Sequence, residues 1–235
     1  MRILFIATSH GEMGNTGKKT GVWLEEIAVP YYIFKNAGFE LAIASPMGGE
    51  VPLDPRSQSI IAATTSSKRF LKDVDAMNFL SGSLQISTVS ANDFDLVFLP
   101  GGHGPLWDIT DNAALKSLIE AFHHQNKLIA AICHGVAGLL SAQDQRGEYL
   151  VKGRKLTGFS NNEEKLSGLT EVVPYLLESR LVAQGALYSK GDDYSSYVVC
   201  DGNFITGQNP ASSGEIAKKL VVLLQQNSKM AISYN

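Results

Sequence analysis

Short, mostly apolar runs alternate along the chain with longer segments in which apolar residues recur every three or four positions. Arg2 to Thr8, Glu40 to Ser45, Phe94 to Leu99 and Leu128 to Ile132 are runs of the first kind, and they predict strands of a mostly parallel sheet buried on both faces. Gly21 to Ala37 carries Val22, Trp23, Ile27, Val29, Ile33 and Phe34, which predicts a helix stopped by Gly38 in a left-handed cap. Pro30 inside it predicts a kink or a break. Asp111 to Asn126, with Leu115, Leu118, Ile119 and Phe122 on one stripe, predicts an amphipathic helix with an aspartate N-cap.

Later in the chain, Lys155 to Phe159 reads as a short strand, Ser160 to Ser167 as the start of a helix, and Thr170 to Glu178 as a surface helix. Tyr197 to Cys200 and Phe204 to Thr206 flank Asp201-Gly202-Asn203, a hairpin signal. A loop from Gly207 to Ser213 leads into a closing helix through Leu224. The segment from Pro52 to Ser90 is less regular and predicts one or two short helices covering a face or an edge of the sheet. With no internal repeat and no linker, residues 1–235 read as a single α/β domain, a sandwich of helices around a mostly parallel sheet.

The pattern changes period at one informative place. Leu128 to Ile132 reads as a strand, yet Val136, Leu139 and Leu140 fall at helical spacing, so the switch occurs at Cys133-His134-Gly135. A cysteine on a strand-to-helix turn projects above the sheet, and a helix N-terminus behind it favours an anion. That placement predicts a thiol pKa lowered from its free value of about 8.5. Pro100-Gly101-Gly102-His103-Gly104-Pro105 follows the neighbouring strand, and its glycines either point backbone N–H groups at an oxyanion or only form a tight turn. Glu26 lies near the apolar stripe of the first helix. There it is either a functional acid or a misfit at the edge of the core.

Composition narrows the chemistry. The formal net charge of −3 comes with no basic block, which excludes an electrostatic footprint for nucleic acid. No apolar run approaches a membrane span, and the N-terminus is too soon polar for a signal peptide, so a cytoplasmic location is expected. The loop from Ser9 to Thr20 lacks both common nucleotide-binding glycine motifs. Two cysteines, Cys133 and Cys200, occur without C-x-x-C, and His123-His124 point about 100° apart on a helix, so no metal site is indicated. Cys200, within a strand, reads as packing.

The stretches A-A-I-C-H-G, L-P-G-G-H-G and T-G-Q-N-P-A-S-S, with T-G-V-W-L-E-E-I-A-V-P, L-T-G-F-S-N-N-E-E and D-D-Y, resemble the ThiJ/PfpI superfamily. Within it, the chain is similar to the heat-inducible branch that contains the glutathione-independent glyoxalases (glyoxalase III). The resemblance implies a flavodoxin-like three-layer sandwich, shared with class I glutamine amidotransferases, and a cofactor-independent enzyme of the D-lactate dehydratase type. It implies Cys133 as nucleophile, His134 as triad histidine, Glu164 as triad acid with Glu163 as the alternative, and Glu26 beside the thiol. Gly102 and His134 would supply oxyanion N–H groups, and His103 and Trp107 would line the pocket mouth. A small α-oxoaldehyde substrate such as methylglyoxal, a homodimer and no metal are also implied.

Other functions share these residues. Glutaminase chemistry would need a late histidine, and none follows His134. A holdase chaperone, a redox sensor using Cys133, a deglycase and an intracellular peptidase are the alternatives.

Overall fold

The structure is a computed structural model that describes residues 1–233, with side chains through residue 226. The elements are, in order, β1 (Arg2–Ile6), α1 (Leu24–Asn36), β2 (Glu40–Ser45), α2 (Thr65–Phe70), α3 (Val74–Ser81), β3 (Leu84–Gln85), β4 (Leu96–Leu99), α4 (Pro105–Asp108) and α5 (Ala113–His124). They continue with β5 (Leu128–Ile132), β6 (Lys155–Leu156), α6 (Asn161–Leu166), α7 (Leu177–Ala183), β7 (Leu187–Tyr188), β8 (Val198–Asp201), β9 (Phe204–Gly207) and α8 (Ser213–Ser233). Seven strands form one sheet in the order β3-β2-β1-β4-β5-β9-β8, parallel except for the β8 edge, while β6 and β7 pair separately. Among the described residues no helix is long and apolar enough to cross a membrane.

The apolar runs become central strands because a two-residue period sends alternate side chains to opposite layers. Leu4, Ile6, Val97, Leu99, Ile129 and Ala131 pack with the α5 stripe and the segment after Cys133. Ile3, Phe5, Leu96, Phe98, Ala130 and Ile132 pack with α1, α3 and α8. This is the sandwich of helices around a mostly parallel sheet that the pattern predicts, and the flavodoxin-like fold that the resemblance implies. Phe34 of α1 meets Phe5 and Phe98 edge to face at centroid distances of 5.9 and 6.0 Å. Such pairs contribute about 0.5–1.5 kcal/mol each beyond burial, and here they fix the rotation of α1 against the sheet.

Several boundaries differ from the sequence expectations. α1 starts at Leu24, because residues 21–23 are held extended: Val22 N–H donates to Pro52 O and Trp23 N–H to Gly101 O. The helix runs through the buried Pro30 to Asn36 without a break. Asn112, rather than Asp111, caps α5 by accepting from Leu115 N–H. Residues 170–176 form turns, and the helix expected there begins at Leu177, after Pro174. The strand expected over 155–159 ends at Leu156, and α8 extends past Leu224 to Ser233. Cys200 is exposed on the edge strand β8, so it does not pack. The Pro52–Ser90 segment contributes α2, α3 and the edge strand β3.

The chain leaves β1 toward β2 and β3, then returns to β4 on the other side of β1. Loops at the carboxyl ends of strands around such a reversal form a crevice. Gly135 closes one wall of it: a Cβ there would stand 2.2 Å from Leu99 O and 2.7 Å from Pro100 O. Gly135→Ala is therefore expected to destabilise the fold by about 1–3 kcal/mol or more, as overpacking does. Urea denaturation with an unchanged m-value checks it.

Candidate active site

Cys133 follows β5 directly, with φ of 56°, and opens a 3-10 segment, Cys133–Leu139. A left-handed non-glycine residue costs of order 1–3 kcal/mol and persists only where its surroundings impose it. The surroundings here are two close backbone approaches. Gly135 tucks under the β4 carbonyls, and a Cβ on Gly101 would meet His134 N at 2.8 Å, Cys133 Cβ at 2.9 Å and Glu26 Oε2 at 2.9 Å. Gly101 N–H donates to Glu26 Oε2 at 2.7 Å, which anchors the carboxyl of α1 beside the elbow. The other oxygen, Oε1, is buried with no well-aligned partner, and the carboxyl interacts with the Cys133 thiol.

His134 Nδ1 lies 3.5 Å from Cys133 Sγ, and its Nε2 is 2.6 Å from Glu164 Oε2. Glu164 Oε1 is 2.8 Å from His103 Nε2. Arg56 Nη2 lies 2.9 Å from His103 Nδ1, while the same guanidinium holds the buried Asp54 through Nε at 3.0 Å and Nη2 at 2.6 Å. An arginine can only donate, so His103 Nδ1 accepts and its proton sits on Nε2. An ionised Glu164 can only accept, so His134 Nε2 also carries a proton and Nδ1 is left free to take one from sulfur.

The two carboxyls are driven apart by their settings. Burial pushes Glu26 up to about 8, against the opposing hydrogen bonds from Gly101 and Cys133. Burial would also raise Glu164, but the charge on His134 and the hydrogen bonds from both imidazoles prevail and hold it well below the usual carboxylate range. Burial, then His134, lowers His103 to about 4. Burial, followed by the adjacent Glu26 carboxyl, pushes the Cys133 thiol up, although backbone N–H groups of Gly102 and His134 favour the thiolate. This reverses the lowered thiol expected from a helix N-terminus. The segment behind Cys133 is a short 3-10 stretch, and full burial outweighs its dipole.

Cys133, His134, Glu26, Glu164, Gly102 and His103 thus converge. Trp107 does not: it stacks on His10 at 5.0 Å, away from the cavity. Glu163, the alternative acid, has another task. Its carboxylate accepts from Ser160 N–H in a capping box, from Tyr194 N–H and from Asn209 Nδ2. The cavity above the sulfur holds about 580 Å³ and is lined by Trp23, Arg56, Phe159, Tyr194 and Pro210 among others. Sequence reasoning missed Asp54 and Arg56. The only local signal was Asp-Pro-Arg as a capped turn, since the contact to His103 spans 47 positions.

His103, His134 and Glu164 present ligand-type atoms within 4.8 Å of one another. Each imidazole instead directs its Nε2 proton at its own carboxylate oxygen.

The profile of the DJ-1/PfpI family matches residues 19–223, and the chain belongs to that family. It is 30% identical over 236 residues to Glyoxalase 3 of Candida albicans, covering 97% of this chain and all of the relative (100%). It is 28% identical to the glutathione-independent glyoxalase HSP31 of Saccharomyces cerevisiae, covering 95% and 98% of the two chains. Among solved structures it is similar to the rapid encystment protein of Francisella tularensis, with TM-score 0.90, 40% identity, and 95% and 98% coverage. It is likewise similar to glyoxalase III of Candida albicans, with TM-score 0.87, 27% identity, and 94% and 96% coverage.

Two expectations follow. Glu163→Gln turns an amide donor toward other donors and should cost about 1–3 kcal/mol of stability while Cys133 still alkylates; Glu164→Gln should slow iodoacetamide alkylation of Cys133 by about a hundredfold. Urea melts and mass spectrometry separate the two. Because folding raises Glu26 from 4.5 to about 8, its favourable contribution is complete below 4.5 and fades as pH climbs toward 8. Urea titrations across that range should show a flatter pH dependence for Glu26→Gln than for wild type.

Proposed function

We propose that the protein is a glutathione-independent glyoxalase of the glyoxalase III type, converting methylglyoxal and related α-oxoaldehydes to 2-hydroxy acids such as lactate. The observation that carries the reading is the enclosure of the Cys133 sulfur by a base, an acid and two backbone N–H groups. His134 Nδ1 lies on one side, the Glu26 carboxyl on another, and the Gly102 and His134 N–H groups point at the sulfur. The similarity over nearly the full chain to proteins named glutathione-independent glyoxalases supports it.

In this reading the thiol is protonated at rest, and His134 Nδ1 takes its proton as sulfur adds to the aldehyde carbon. The resulting oxyanion is held by the Gly102 and His134 N–H groups and is protonated by Glu26. Glu26, now a carboxylate, removes the hydrogen on the former aldehyde carbon while His134 protonates the neighbouring carbonyl oxygen. Glu26 then delivers that proton to the second carbon and takes back the hydroxyl proton of the first carbon, so that its C=O re-forms, leaving a neutral 2-hydroxy thioester and a protonated Glu26. A carboxyl near 8 suits such a two-way transfer, because neither direction is steeply uphill at neutral pH. Water activated by His134 releases the acid and restores the thiol. The sequence is an internal oxidation and reduction plus water, so it calls for no external electron acceptor.

A holdase role draws less support. Ile60 and Ile61 are almost fully exposed beside the cavity mouth, at 94% and 99%, but two side chains fall short of the several hundred Å² of an interaction patch.

The test is lactate formation from methylglyoxal without glutathione, on wild type, Cys133→Ala and Glu26→Gln of matched folded content. Wild type should turn over, and each variant should lose at least about a hundredfold in kcat. A wild type that makes no lactate would overturn the reading.

A further inference from the structure

The guanidinium of Arg56 is the group the proposed mechanism leaves unused. It is carried by Asp54, which is buried and also accepts from Thr20 Oγ1 at 2.9 Å and from the Arg56 backbone N–H at 2.9 Å. A guanidinium held only to stabilise its own turn would be complete with that bidentate pair. Arg56 goes further, and its Nη2 reaches His103 Nδ1 at 2.9 Å.

We propose that Arg56 is a positioning residue that, by donating to His103 Nδ1, keeps His103 a neutral Nε2–H donor and so reserves the charge of Glu164 for His134. The proposal rests on His134 acting as the base for Cys133. His103 and His134 share one carboxylate, and their rings lie 4.3 Å apart. If His103 held protons on both nitrogens, a second imidazolium would compete for Glu164 and oppose the charge His134 must take from the thiol. The Arg56 contact blocks the second proton twice over, since it occupies the Nδ1 lone pair and sets a positive charge beside it.

The charged or titratable groups around the His103 ring are Arg56, Glu164 and His134, with Cys133 beyond His134. Phe159 covers another side at 6.0 Å. Among the described residues, no other charged group there could perform the task of Arg56. Lysine would keep a charge near Nδ1 but loses the planar fork that grips Asp54 and His103 together.

The experiment uses a Cys200→Ser background, which silences the exposed second thiol, and compares Arg56, Arg56→Met and Arg56→Lys at matched stability. Histidine ¹⁵N NMR reads the tautomer and protonation of His103, and iodoacetamide alkylation reads Cys133; neither readout depends on the aldehyde substrate. In the Arg56 protein, His103 should stay neutral with its proton on Nε2 from neutral pH down to about 5. In Arg56→Met, Nδ1 should acquire a proton as pH falls through the ordinary histidine range near 6.5. Cys133 alkylation in that variant should fall about three- to tenfold below pH 6.5, equivalent to half to one pKa unit, and match the Arg56 protein above about pH 7.5. Arg56→Lys should lie between the two.

An unchanged His103 in Arg56→Met, or alkylation slowed equally at every pH, would overturn the proposal in favour of a merely structural arginine. If Arg56→Met does not fold, Arg56→Gln is read by the same criteria. Failure of the wild type to make lactate would strike the glyoxalase reading and leave this result standing.

Discussion

The site depends on the backbone of β4 and β5 coming together where both strands end. Gly101 and Gly135 lack the Cβ atoms that would strike His134 N, Leu99 O and Pro100 O. Only that closeness holds Cys133 at a φ of 56° with two N–H groups on its sulfur. The strain in one residue is maintained by the packing of many, since β4 and β5 are buried throughout and lie between two apolar layers. The same approach lets Gly101 N–H anchor Glu26 from a different element. Geometry at the sulfur is thus set by the sheet and by α1.

Burial and the hydrogen-bonding partners together then decide the protonation states. Two carboxyls, both nearly inaccessible, end far apart: Glu26, with one backbone donor and an unpaired oxygen, keeps its proton, while Glu164, with an imidazole on each oxygen, loses it. The pair follows the general rule that neighbouring acids acquire separate roles from their hydrogen-bonding partners. Glu164 holds His134 through Nε2, which leaves Nδ1 toward the sulfur, and the Glu26 carboxyl meets the same thiol from α1. The chain Asp54–Arg56–His103–Glu164–His134 extends that control outward to a turn in the segment covering the sheet.

Local pattern was sufficient where one element decided the outcome. The short continuous apolar runs identified the central strands, including both ends of β2 and β5, because a strand with two buried faces has no polar alternative. The break in period at Cys133 located the elbow. Expectations failed where a remote contact overrode a local preference. Residues 21–23 are extended because Pro52 and Gly101 pair with them, and Trp107 turns to His10 because α4 orients it away from the cavity. The thiol's direction was misjudged because a dipole can be read from a turn, whereas full burial cannot.

The amino-acid sequence by itself determined the α/β alternation, the place of the strand-to-helix switch and the residue types that meet there. Periodicity and turn chemistry act between near neighbours. Tertiary structure alone decided that Glu164 rather than Glu163 faces His134, because both stand in the first turn of α6 and only the rotation of that helix separates them. It also decided which carboxyl is neutral and that Arg56 reaches His103. Those outcomes depend on burial and on contacts across dozens of residues, and neither quantity is encoded in any local stretch of the chain.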